Sequence, residues 1–130
     1  MHIEHMAIWV ADLERSRAFY ETYFGAQSGE KYHNPRKHFT SYFLRFESGC
    51  RLELMHRPEI EDLRKGPGAE FLGITHFAIE VGNRKKVDEL TEKFRADGYT
   101  VAGEARQTGD GYYESIILDP EGNRVELVAH

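Results

Sequence analysis

The stretch Ile74-Thr75-His76-Phe77-Ala78-Ile79-Glu80-Val81 says again, almost residue for residue, what the chain has written at Ile3-Glu4-His5-Met6-Ala7-Ile8-Trp9-Val10. A histidine holds the same place in both copies, and each alternating apolar strand is followed by a helical pattern. Each half then closes on a second echo, Arg51-Leu52-Glu53-Leu54 in the first and Arg124-Val125-Glu126-Leu127 in the second. His5 and His76 lie 71 residues apart and Glu53 and Glu126 lie 73 apart, so the intervening loops differ by only two residues. Self-similarity at a fixed period marks a tandem duplication. What is duplicated is one His and one Glu per half.

Singly, a histidine at a strand start reads most simply as a hydrogen-bonded structural residue, and Arg-x-Glu near a strand end as a solvated ion pair. Their joint repetition points elsewhere. Side chains alternate faces along a strand, so His5, Ala7 and Trp9 share one face while Met6, Ile8 and Val10 share the other, apolar one. The same holds for His76, Ala78 and Glu80 against Phe77, Ile79 and Val81. Glu53 and Glu126, each flanked by apolar neighbours, also turn away from the packed side. Two imidazoles and two carboxylates shown toward one concave surface suit a divalent transition metal such as zinc, nickel, cobalt, manganese or iron.

The bulk properties narrow the function classes. At 130 residues the chain is a single domain by length. A net charge of -5 argues against nucleic acid, whose backbone calls for clustered Lys and Arg. No apolar run approaches the roughly 20 residues of a membrane helix, and no basic segment followed by an apolar run opens the chain. One cysteine, Cys50, has no partner for an intrachain disulfide, which fits a reducing compartment; a cytoplasmic location is the expectation.

Asp12 is an N-cap candidate, and Leu13, Ser16, Phe19, Tyr20, Tyr23 and Phe24 form a helical stripe that stops at Gly25. Residues 26–38 read as a loop or ragged edge strand, with His33 and His38 solvated. Residues 39–46 and 50–55 are strands joined at Glu47-Ser48-Gly49. Residues 58–73, with Pro58, Gly66, Pro67, Gly68 and Gly73, have the punctuation of a linker, in which Ile60 and Leu63 suit one short helical turn. The second half repeats the scheme: a strand over 74–81, a helix capped by Asn83 and ended near Gly98, then strands near 100–105, 112–118 and 124–128. Asp119-Pro120-Glu121-Gly122-Asn123 is the hairpin before the last strand. The expected architecture is α+β: two tandem βαβββ modules, about 1–57 and 74–130, whose curved sheets form an open metal-binding trough.

On these motifs, together with Phe19-Tyr20, Phe24-Gly25 and the run from Asp119 to Leu127, the chain resembles the vicinal oxygen chelate superfamily, which contains glyoxalase I. The resemblance covers essentially the whole chain. It implies paired modules, one divalent metal per site (nickel, cobalt or zinc) held by His5, Glu53, His76 and Glu126, and a homodimer whose sites draw on both chains. The His, Glu, His, Glu order is similar to that of glyoxalase I. Extradiol dioxygenases and fosfomycin-resistance thiol transferases leave the Glu53 place without a ligand, methylmalonyl-CoA epimerase puts an amide there, and bleomycin-binding members have generally lost the ligands. The implied reaction is a lyase or isomerase step on a small molecule such as a thiol adduct: proton transfer through a metal-bound enediolate of a hemithioacetal or related α-hydroxycarbonyl, with Glu126 and Glu53 as the catalytic carboxylates and Glu126 preferred. A metal-dependent thiol transferase, a dioxygenase and a non-catalytic antibiotic-binding protein are the alternatives. For the last of these, Trp9, Tyr42 and Tyr113 should line the trough.

Two departures matter. Glyoxalase I commonly has an Arg four residues after the first His and an Asn shortly after the first Glu, both serving glutathione; this chain has Trp9 and Met55-His56-Arg57. Trp9, Arg51 and Arg124 are the substrate-binding candidates. The two arginines read equally well as ion-pair partners of Glu80 or of the ligand carboxylates.

Overall fold

A computed structural model of the chain describes residues 1–63, 70 and 72–130. They fall into two compact units, Met1–Leu63 and Arg64–His130. The architecture is mixed α+β. In the first unit, β1 (His5–Trp9) leads to α1 (Leu13–Phe24), then to the short β2 (Gln27–Ser28) and β3 (Tyr32–Asn34), a 3-10 turn at Pro35–Lys37, β4 (Phe39–Arg45) and β5 (Arg51–His56). The sheet order is β1-β5-β4-β2, with β3 also pairing to β4.

Local chemistry sets the ends of α1. The Asp12 carboxylate accepts from Arg15 N, and Gly25 takes the left-handed conformation at φ 64°, its N–H closing on Glu21 O. Leu13, Ser16, Phe19 and Tyr20 are buried from this helix against β4 and β5, where Tyr42, Leu44, Leu52 and Leu54 complete the core. The helix covers one sheet face, so the face of His5, Ala7, Trp9, Arg51 and Glu53 is left uncovered by α1.

Residues 26–38, expected as a loop or ragged edge, form that ragged edge. β2 pairs Gln27 with Arg45, β3 pairs Tyr32 with Ser41, and the chain leaves the ladder between them. Pro35, without an N–H, ends β3, and the Asn34 side chain caps the 3-10 turn by accepting from Lys37 N.

The second unit repeats the order without the split edge. β6 (Phe77–Glu80), α2 (Arg84–Ala96), β7 (Val101–Gln107), β8 (Tyr113–Leu118) and β9 (Arg124–Ala129) form a sheet ordered β6-β9-β8-β7. Asn83 caps α2 through Lys86 N, and Val87, Leu90 and Phe94 are buried over Ile117, Val125, Leu127 and Ala129. The same edge position is irregular here too, since the β7–β8 register shifts on both sides of Gly103.

Most strand ends fall within a residue or two of expectation, but two strands are shorter at both ends. The strands run over 5–9 and 77–80 rather than 3–10 and 74–81, because the partner strands β5 and β9 begin only at Arg51 and Arg124. Ile3 and Ile74 are accordingly 67% and 70% exposed, and His76 immediately precedes its strand. Residues 60–63 form no helical turn: Ile60 N closes a single turn on Arg57 O. Most of the rest of the expected linker, residues 64–69 and 71, lies outside the described residues.

Candidate metal centre

Each unit builds a His–Glu pair by the same device. β1 and β5 run parallel with Ala7 opposite Glu53, and β6 and β9 run parallel with Ala78 opposite Glu126. The alanine is too small to cover its carboxylate. The histidine two residues earlier on the same face therefore reaches the Glu diagonally. His76 Nε2 lies 3.2 Å from Glu126 Oε2, and His5 Nε2 lies 3.9 Å from Glu53 Oε2. In both pairs the histidine side chain is 40% exposed and the glutamate 14%, so the two halves present their donors alike.

The donor chemistry fits a divalent cation. Two neighbouring ligands each ~2.1 Å from one ion sit about 3.0–3.4 Å apart, close to the His76–Glu126 spacing and somewhat short of the His5–Glu53 one. Among the described residues no three or more His, Cys, Asp or Glu gather within one group that could hold a metal. Each unit brings together one His and one Glu.

The surroundings of the two pairs differ. Glu4 Oε2 lies 2.5 Å from His5 Nδ1, and its other oxygen lies 2.5 Å from Arg51 Nη2. A carboxylate can only accept, so His5 Nδ1 carries a proton and donates to Glu4, which leaves Nε2 facing Glu53. The bond from His5, and then the Arg51 guanidinium, hold the Glu4 carboxyl below its usual range. Phe43 meets the His5 ring edge-on at 5.3 Å, and Arg51 stacks 4.1 Å over the same phenyl ring. In the second unit Glu114 stands on the Glu126 face, beside it across the β8–β9 ladder, and pairs with Arg106 at 3.1 Å. Burial pushes the Glu126 carboxyl above its usual range and Glu114 adds to this, while His76 and Arg106 oppose it.

Glu4 and Glu114 went unread in the sequence. The signal for Glu114 was the alternation of Glu114 and Ile116 on β8, informative only once Ile116 is known to sit opposite Glu126. Arg51 and Arg124 do share the face of the pairs, but their charges are met by Glu4 and, at 2.8 Å, by Glu70, and Glu80 faces His130 instead. Tyr42 and Tyr113 do not join Trp9 on the open faces. Their hydroxyls donate to Glu14 on α1 and Asp88 on α2, toward the helices.

The last motif, the hairpin, fixes the position of Glu126. Asp119, 4% exposed, accepts from Glu121 N, Asn123 N and Asn123 Nδ2 at 2.8–2.9 Å, and Gly122 takes φ 80°. This closed turn sets Leu118 against Arg124 and hence Ile116 against Glu126.

Known proteins share this fold and sequence pattern. A protein of Bacillus subtilis (strain 168), "Uncharacterized protein YqjT", is 30% identical over 139 residues, covering 98% of both chains. A lactoylglutathione lyase of Haemophilus influenzae is 28% identical over 132 residues, covering 98% of this chain and 92% of its own. Among solved structures, a glyoxalase I mutant from Zea mays superposes with a TM-score of 0.80 at 25% identity, over 99% of this chain and 44% of that longer one. Residues 2–127 match the profile of one family, and the chain belongs to it: the Glyoxalase/Bleomycin resistance protein/Dioxygenase superfamily.

Proposed function

We propose that the protein is a metal-dependent lyase or isomerase of the glyoxalase I kind, moving a proton next to the carbonyl of a hemithioacetal or related α-hydroxycarbonyl. The observation that carries this reading is the double construction of one His–Glu pair per repeat, each made by an alanine opposite the glutamate. His5, Glu53, His76 and Glu126 are the donor set for one divalent cation, with nickel, cobalt and zinc all compatible with imidazole and carboxylate. When bound, such a cation supplies Lewis acidity and a template for two adjacent substrate oxygens.

The chain's own groups divide the remaining work. The Glu126 carboxylate takes the carbon-bound proton and returns it to the neighbouring carbon, and Glu53 serves the opposite face. By the resemblance to glyoxalase I, Glu126 is the preferred base of the two. His5, its proton fixed at Nδ1 by Glu4, is a positioned donor. The lactoylglutathione lyase relative and the glyoxalase I fold likeness support the reaction class. The family's homodimer is part of the same proposal.

The test uses Glu126→Gln and Glu53→Gln with metal content measured alongside. Loss of general-base help is worth about 10²–10⁴-fold in rate. Exchange of the substrate's carbon-bound hydrogen with solvent deuterium should fall by that order in at least one variant. If both variants keep their metal and neither slows the exchange, these carboxylates are not the base.

A further inference from the structure

Four residues beyond His5 on the same face of β1, about 13 Å along the strand at ~3.3 Å per residue, Trp9 helps line a cavity of about 350 Å³ within the first unit. Tyr32, Asn34, Lys37, Phe39 and Arg57 complete its lining. The Phe39 ring meets Trp9 edge-on at 6.1 Å and Tyr32 at 6.0 Å, so the three rings form one continuous apolar wall. Trp9 and Tyr32 are nonetheless 42% and 55% exposed. Clustered aromatic rings left open beside charged side chains mark a binding surface rather than a core.

The charge in the cavity is positive. Lys37 has no carboxylate within ion-pair reach among the described residues. Arg57 offers one nitrogen to Glu59, while its Nε–H is shut off from solvent and meets no acceptor among those residues. With Glu59 offsetting one cation, about one positive charge is left over. The loop that carries Lys37 is held in shape: Asn34 caps its start, and His38 ends it in the left-handed region at φ 49°, the only non-glycine residue at positive φ among those described.

We propose that this pocket binds an aryl-bearing monocarboxylate, with the ring against Trp9, Tyr32 and Phe39 and the carboxylate between Lys37 and Arg57. The volume suits a small organic ligand. The proposed function enters only in one respect: the pocket would receive the tail of the substrate whose reacting end lies at the His–Glu pairs, which makes an aryl carboxylate rather than a peptide thiol its recognised portion. Binding itself involves neither metal nor turnover.

Trp9 is the chain's one tryptophan, so its emission reports on this pocket alone. The full-length protein is titrated with 3-phenylpropanoate, with 3-phenylpropanamide and acetate as probes lacking the charge or the ring. A saturable change with 3-phenylpropanoate, at least tenfold weaker with either control, is expected. Lys37→Ala and Arg57→Ala should each weaken it about tenfold with the thermal midpoint unchanged for the exposed Lys37. Chelator and Glu126→Gln should leave it unaltered, which separates this result from the fate of the proton-transfer reading. No saturable change, equal binding of the amide, or wild-type affinity in both charge variants overturns the proposal.

Discussion

Thr91 and Ser115 offer a sharp test of how the helix of the second unit is held to the sheet that carries Glu126. Thr91 is 2% and Ser115 1% exposed, and their hydroxyl oxygens lie 2.6 Å apart. Thr91 Oγ1 also lies 2.6 Å from Val87 O. A hydroxyl has one proton, so Thr91 donates to the carbonyl and Ser115 must donate to Thr91. Thr91→Val keeps the shape and removes that acceptor, leaving the Ser115 hydroxyl buried without a partner, at a cost of about 1–3 kcal/mol. Ser115→Ala removes a donor whose acceptor retains its other bond, and should cost less, about 0.5–1.5 kcal/mol. The double variant has no orphan and should be no less stable than Thr91→Val alone. Ser16, wholly buried on α1, is the control: its hydroxyl has no hydrogen-bond partner among the described residues, so Ser16→Ala should be neutral or mildly stabilising. The assay is the urea midpoint at unchanged slope. Additive losses in the double variant, or a Ser16→Ala loss equal to that of Thr91→Val, would refute the reasoning.

Ala7→Leu and Ala78→Leu place bulk opposite Glu53 and Glu126 on exposed positions; stability should move by less than about 0.5 kcal/mol, while metal content of the purified protein falls. Asp119→Ala removes three accepted hydrogen bonds from the hairpin and should cost about 2–3 kcal/mol, read by thermal unfolding, with Asp119→Asn milder. Lys31, then the Tyr42 hydroxyl, hold the Glu14 carboxyl below its usual range. A depressed folded value means that its contribution is present above the usual ~4.3 and is lost as pH falls through the lower folded value; the stability gap between Glu14→Gln and the wild type, measured by urea midpoints, should therefore be open near neutrality and close in acid.

What could be read in the sequence was whatever short-range chemistry decides. Asp12 and Gly25 bracket α1, Asn83 starts α2, and the Asp119 hairpin sits where its residues put it, because caps and turns close within a few residues. The repeat carried the rest of the architecture. What escaped depends on partners far along the chain. Ile3 and Ile74 look like strand residues, yet among the described residues no strand pairs with them. Tyr42 and Tyr113 look like pocket aromatics, yet alternation from Leu44 and Ser115 sends them to the helices. The cavity around Trp9 needs β3, β4 and the turn after β5 together, and no local pattern announces that meeting.

The duplication leaves the two carboxylates in unequal surroundings. Both pairs share the alanine device and the same exposures, so the backbone does not distinguish them. The neighbours do. Where the first repeat has Glu4 before its histidine, the second has Thr75, so only His5 has a carboxylate holding its distal nitrogen. Where the second repeat has Glu114, the corresponding place on β4 is the small, buried Ser41. Negative charge thus gathers beside the histidine in the first half, where it is met by Arg51 and steadies a donor. In the second half it stands beside the glutamate, where Glu114, paired with Arg106, adds to the upward push that burial gives the Glu126 carboxyl. The two pairs therefore differ in what surrounds them, and comparing Glu53→Gln with Glu126→Gln reads whether those surroundings divide the proposed proton transfer unevenly.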